Sequence, residues 1–176
     1  MPDAPGLELI AGELRDAYAG SVIDTYHEHG QACLIVDPAQ VLEVLAWLRD
    51  TPGQEYRFLS SLHGVDYLPA EPRFAVHYEL LNRDRVERIR VRAAVADPGG
   101  DELPEVPSSV ELFPTAEFHE REVYDFFGIV FAGHPDLRRI LLPETYVGWP
   151  LRRDFPIGGE PVIFTYNERL VPGWTQ

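Results

Sequence analysis

The sequence predicts an α/β fold of the α+β sandwich kind, with helices packed on a largely antiparallel or mixed sheet and an extended C-terminal segment after it. Three observations carry that expectation. Helical apolar spacing is confined to two early stretches and one later one, five strand-like runs lie between them, and regular periodicity is lost beyond residue 127. A chain of 176 residues with 45% apolar side chains can bury a core without covalent staples.

Taken in order, Leu7, Ile10, Ala11, Leu14 and Tyr18 recur at helical spacing, which predicts a helix over Leu7–Tyr18. Two strands follow, Ser21–Tyr26 and Gln31–Val36, joined at Glu28-His29-Gly30. Asp37 then supplies an N-cap and Pro38 suits the first position of a helix reaching Arg49, with Val41, Leu42, Leu45, Ala46 and Leu48 inward. Strand-like runs occupy Tyr56–Val65, Phe74–Leu81 and Arg85–Val95. In the last, RVERIRVRAAV, charged and apolar residues alternate, as in an antiparallel strand with one wet face. Asn82–Asp84 reads as the hairpin turn, and Asp97-Pro98-Gly99-Gly100-Asp101 as a flexible loop. A final helix, AEFHEREVYDFFG, lies between Thr115 as N-cap and Gly128 as C-terminal stop, with Ala116, Glu120, Val123 and Phe127 on one face. Its i,i+4 pairs, Glu117–Arg121 and Arg121–Asp125, contribute about 0.2–0.5 kcal/mol each on an exposed helix. The resulting division is 1–112, an α/β domain, 113–128, the helix, and 129–176, the extended segment.

Composition excludes several classes of function. A net charge of −14 argues against nucleic acid, whose binding rests on cationic contacts to phosphate. Cys33 stands alone, so the chain has neither an internal disulfide nor the four thiolates of an iron–sulfur site. No apolar run is long enough to span a bilayer, and the opening MPDAPGLELIAGELRD lacks the basic and apolar regions of a signal peptide. The expectation is a soluble chain on the cytoplasmic side. No Gly-rich nucleotide fingerprint occurs, and His119-Glu120 begins a zinc-protease motif that fails at Val123. His27 and His29 share a strand face but lack a third ligand nearby. Glu120, Glu122 and Asp125 would suit a free-standing hydrolase only if they shared a cleft.

Gly133–Pro156, GHPDLRRILLPETYVGWPLRRDFP, resists every ordinary reading. Four prolines exclude a helix, yet a solvated linker has no need of so many Leu, Ile, Trp and Phe side chains. Together with the preceding residues it gives EREVYDFFGIVFAGHPDLRRILLPETYVGWPLRRDFP, from Glu120 to Pro156. This closely resembles the signature of the thirty-kilodalton subunit family of respiratory complex I, the C subunit of the bacterial NADH–quinone oxidoreductase. The matching positions are Glu120-Arg121-Glu122, Asp125, Gly128-Ile129, Phe131, Gly133-His134-Pro135-Asp136-Leu137, Arg138-Arg139, Leu141, Pro143-Glu144, Gly148 and Pro150-Leu151-Arg152-Arg153-Asp154-Phe155-Pro156. Glu117-Phe118-His119 departs from the family pattern, and Arg153 stands where many members carry Lys.

The resemblance implies a non-catalytic, peripheral-arm subunit of a proton-translocating NADH–quinone oxidoreductase. It would carry no catalytic, cofactor or metal residue of its own, with FMN and iron–sulfur clusters held by partner subunits. The implied partners are subunits D and B and the ferredoxin-like iron–sulfur subunit, at the cytoplasmic side of the cell membrane. The alternative is the equivalent subunit of a membrane-bound hydrogenase-type or ferredoxin-dependent complex. The extended segment then becomes a docking segment, and the partner-interface candidates are the signature side chains themselves. They are Glu120, Arg121, Glu122, Asp125, Gly128, Phe131, His134, Pro135, Asp136, Leu137, Arg138, Arg139, Leu142, Pro143, Glu144, Pro150, Leu151, Arg152, Arg153, Asp154, Phe155 and Pro156. The arginines are expected to pair with Asp136, Asp154 or partner carboxylates.

Overall fold

In a computed structural model that describes residues 1–156, the chain opens with α1 (Ala4–Ala17). The Asp3 carboxylate starts that helix by accepting from the Gly6 N–H at 2.8 Å, and Leu7, Ile10, Ala11 and Leu14 form its buried face. Strands β1 (Val22–Glu28) and β2 (Gln31–Val36) follow as a hairpin. Asp37 caps as expected, accepting from the Ala39 N–H at 2.9 Å, but Pro38–Gln40 forms a 3-10 turn before α2 (Val41–Asp50). Gln40, at φ −112° and ψ 12°, marks the break between the two.

The three middle runs become β3 (Phe58–Asp66), β4 (Phe74–Asn82) and β5 (Glu87–Val95). The β4–β5 turn is longer than the expected three residues. Asn82 Oδ1 accepts the Arg85 N–H at 2.9 Å, and Val86 takes a positive φ of 51°. The sheet runs β1-β2-β5-β4-β3 and is mixed, because β2 and β5 pair in parallel while the other neighbours are antiparallel. Leu34, Val91, Tyr78 and Leu62 belong to the core cluster that also holds Leu14, Leu45, Leu48 and Val123, so the helices cover one face of the sheet.

Two short strands complete the fold. Strands β6 (Glu105–Pro107) and β7 (Val130–Ala132) pair in parallel and bury Val106 and Phe131. They join the chain on either side of helix α3 (Ala116–Phe127) and tie residues from the expected first and third parts into one layer. Three-residue strands are too short to show a period, which is why the sequence did not announce them.

Helix α3 lies on β3 at close range, and Gly64 allows this. A Cβ at Gly64 would stand 2.9 Å from Phe127 and 3.0 Å from Val123. Gly128 ends the helix in the left-handed region, at φ 68°, as its type suggested. Thr115 does not act as the expected cap. Its own backbone is already helical, and its hydroxyl donates instead to the Leu59 carbonyl of β3 at 3.3 Å. The preceding turn, in which Ala116 N–H bonds Phe113 O at 2.8 Å, leads the chain into the helix without a side-chain cap.

Candidate functional site: a C-terminal strip seated on its own domain

Residues 133–156 contain no helix or strand, yet they are fastened to the domain at two carboxylates. The first is Asp125 on α3, which is fully buried. One oxygen accepts from the Arg139 guanidinium at 2.8 Å, and the other receives the N–H groups of Ile140, Leu141 and Leu142 at 3.0, 2.7 and 2.9 Å. Burial by itself would raise this carboxyl, but the three N–H groups and Arg139 overcome it and hold its pKa below the ordinary range. Three successive amides on one oxygen form a nest that substitutes for the water an irregular strip would otherwise need.

The second carboxylate is Asp66, at the end of β3. It accepts from the Leu68 N–H at 2.9 Å, from Arg73 Nε at 3.1 Å and Nη2 at 2.9 Å, and from the strip itself through the Arg153 N–H at 2.8 Å. Arg73 also bridges to Asp97 at 2.9 Å and to Asp154 of the strip at 2.7 Å. One buried guanidinium thus links β3, the loop after β5 and the strip. Burial opposes ionisation of Asp66, but Arg73 and the two N–H groups win and lower its pKa; Arg73 does the same for Asp154.

Between these anchors the strip packs by rings and guanidinium planes. Trp149 lies across Gly128, where a Cβ would stand 2.5 Å from the indole, and meets Tyr124 edge-on at 5.3 Å. The Arg139 guanidinium sits 4.5 Å from the Trp149 ring centre, and Arg152 sits 5.0 Å from that of Phe74. Arg152 Nε donates to the Phe127 carbonyl at 2.7 Å, and the Leu151 N–H to the Phe126 carbonyl at 3.2 Å, so the last turn of α3 receives its hydrogen bonds from the strip.

The signature residues fall into three groups. Glu120, Asp125, Gly128 and Phe131 are buried within the chain's own fold. Arg121, His134, Asp136, Leu137, Arg139, Leu142, Pro150, Arg152 and Phe155 are half-buried, mostly as fasteners. Glu122, Pro135, Arg138, Pro143, Glu144, Leu151, Arg153, Asp154 and Pro156 are exposed. Glu120 accepts from Ser108 Oγ at 2.6 Å and from the Ser109 N–H and Oγ at 2.7 Å, under the helix. Its burial pushes its pKa up, against the pull of those donors and of His134. Glu120 and Asp125 therefore face different partners inside the fold while Glu122 lies outside, and the open carboxylate cluster that a hydrolase needs does not form. The expected Glu117–Arg121–Asp125 ladder is likewise replaced. Arg121 donates to the carbonyls of Arg138 and Arg139 at 3.1 and 3.3 Å, and Asp125 takes Arg139. Among the described residues no group of three His, Cys, Asp or Glu side chains is placed to hold a metal, and no helix is long and apolar enough to cross a membrane.

Sequence reasoning missed Asp66, Arg73, Asp97, Ser108 and Ser109. They lie outside the signature and carry no motif; the one signal was Arg73 beside Pro72 at the head of a strand. It also placed the arginines' partners too locally. Arg138 does pair with Asp136, at 2.8 Å on the surface, but Asp154 goes to Arg73 and Arg139 to Asp125. Residues 157–176 of the expected docking segment lie outside the described residues.

A mixed sheet covered on one face by helices, with an Arg-rich strip fastened across the last helix, defines an α+β domain that presents a preformed strip. A family profile described as "Respiratory-chain NADH dehydrogenase, 30 Kd subunit" matches residues 34–161. The chain belongs to that family, as its signature resemblance indicated. It is 43% identical over 159 residues to the C subunit of the NADH-quinone oxidoreductase of Roseiflexus castenholzii, covering 90% of this chain and 89% of that protein. It is 47% identical over 141 residues to the corresponding NADH-quinone oxidoreductase chain of Herpetosiphon aurantiacus, covering 80% of each. Among solved structures, a trypsin-resistant fragment of Nqo5 matches with a TM-score of 0.60 at 33% identity, over 74% of this chain and 98% of that one. The fold also recurs in a membrane-bound sulfane sulfur reductase, an archaeal respiratory membrane complex, with a TM-score of 0.65 at 22% identity, over 85% of each chain.

Proposed function

We infer that this chain is a non-catalytic assembly subunit of a proton-translocating NADH–quinone oxidoreductase, seated against subunits D and B and near the ferredoxin-like iron–sulfur subunit, on the cytoplasmic side of the membrane. Family membership supports a place in such a complex. The observation that carries the docking role is the strip, which is tied down by the chain's own clamps while three of its large apolar side chains face outward. Leu141 is 61% exposed, Val147 80% and Leu151 53%. Large side chains held rigidly in water are suited to a partner's pockets, and holding them in place beforehand lowers the entropy cost of docking. On this reading FMN and iron–sulfur chemistry belongs to neighbouring subunits; the lone Cys33, buried in the sheet, supplies no thiolate set for a cluster.

The test is affinity purification from native membranes with wild-type chain and with Val147→Asp. The wild-type chain should bring down subunits D and B. The variant should melt like wild type in isolation, because Val147 touches water, yet lose those partners. Recovery of the wild-type chain alone overturns the reading. Recovery with hydrogenase-type subunits in place of the NADH-oxidising ones moves it to the alternative complex.

A further inference from the structure

Among the described residues no helix covers the face of the sheet opposite α1, α2 and α3; Cys33, Ala75 and His77 on it are buried, and its charges are unevenly placed. Along β5 the core side takes Ile89, Val91, Ala93 and Val95, so Arg88, Arg90 and Arg92 line the other side. By register Arg90 lies beside Cys33 and Glu79, and Arg92 beside Ile35 and His77, which extends the face across β2, β4 and β3 to His63. His63 and His77 stack in parallel with ring centres 5.1 Å apart, and Tyr67 bonds His77 Nε2 at 3.0 Å. Burial, His63 and the neighbouring arginines lower the His77 pKa to about 3, so this imidazole adds no charge. The charge of the centre comes from the arginines.

Those arginines are unequally satisfied. Arg90 is paired with Glu79. Arg88 is exposed and Arg92 half-buried, and neither forms an ion pair among the described residues. The Arg92 guanidinium is held 4.3 Å from the centre of the Tyr67 ring, and its Nε is enclosed without an acceptor. Acids are abundant in a chain of net charge −14, yet of those on this face Glu79 is taken by Arg90, and Asp24 and Glu28 stand on edge strand β1, two strands from β5. A guanidinium fixed in place without an acceptor is costly unless a carboxylate is brought to it. The dimensions also fit an interface. Three nine-residue strands and two of six and seven residues, about 4.8 Å apart, present about 630 Å², somewhat under the roughly 800 Å² that each partner contributes to a stable contact.

The geometry points to this face as a second docking surface, which receives an acidic segment of a neighbouring subunit on Arg88 and Arg92. This rests on the complex-subunit reading and adds a contact remote from the strip. It is tested by thiol footprinting of the full chain, alone and within the membrane complex, because Cys33 is buried and leaves a quiet background. Ser61→Cys reports the sheet face and Val147→Cys the strip. Both thiols should be alkylated in the free chain and protected in the complex. Protection at the first should weaken with Arg88→Gln and be lost with Arg88→Glu, with the strip thiol still protected. An equally reactive Ser61→Cys thiol in free chain and complex overturns the proposal, while a protected Val147→Cys thiol leaves the docking reading standing. If neither thiol is protected, both fall. Protection that survives Arg88→Glu excludes an acidic partner, and protection in the free chain that grows with its concentration makes the occupant a second copy.

Discussion

Asp125 shows how much one side chain can decide. Its carboxylate meets both the Arg139 guanidinium and three consecutive strip amides. Asp125→Asn puts an amide donor where an acceptor is needed and leaves Arg139 without its counter-charge. Breaking a buried pair this way costs about 3–5 kcal/mol, less if the strip simply detaches. Amide exchange at residues 140–142 should accelerate by orders of magnitude while the sheet amides stay protected; unchanged exchange there would refute the nest. Glu120→Gln should be far milder, since Ser108 and Ser109 can reorient their hydroxyls toward an amide. From the sequence, these two acids looked alike, as members of a charged helix. Spacing told which face each occupied, but not that the strip would fold back to cover one of them.

At the scale of elements, α3 and its neighbours are held at distances that only glycine permits. Gly64→Val should destabilise by about 1–3 kcal/mol, because its branches enter the space of Phe127 and Val123. Gly128→Ala combines a left-handed backbone with a collision against Trp149, so it should unseat the strip as well, seen, with Trp47 and Trp174 replaced by Phe, as a red shift of Trp149 emission. A Gly128→Ala protein with an unmoved Trp149 spectrum would show that the indole is not seated there. The main helices and strands were legible because their buried faces repeat over two turns or six residues. The parallel pairing of β2 with β5 was not, since apolar alternation reveals a strand but not its neighbour. Strands β6 and β7 left no trace either, and Thr115 had the composition of a cap without the backbone of one.

For the molecule as a whole, acid is the revealing variable. Asp66, Asp125 and Asp154 all have lowered pKa values, so their contribution is present above the ordinary carboxylate value of about 3.9 and is lost as pH falls through the lowered ones. Glu120 has the opposite sign. Its raised pKa favours the fold below its ordinary value, and that contribution fades as pH rises through the raised one. Urea midpoints should therefore hold near neutrality and fall steeply below about pH 4, with a shallower acid slope in Asp125→Asn. Equal slopes would show that Asp125 does not carry its share. The signature announced the complex from sequence, since many residue types in one register identify a family. It could not say that the same residues first serve the chain itself, because that depends on Asp66 and Arg73, distant in sequence and brought near only by β3 and β4.

The bonds from α3 to β3 have one more effect. The Leu62 N–H of that outer strand is taken by His119 Nδ1 at 3.1 Å, and the Leu59 carbonyl by Thr115 at 3.3 Å. Unsatisfied rims of this kind are where stray chains add themselves and fibrils begin. The opposite rim, β1, is kinked by a register shift between Val22 and Asp24 and carries acids that repel a copy of itself. Both outer rims of the sheet are thereby made less inviting to a stray strand, one by the chain's own helix and the other by its kink and its acids.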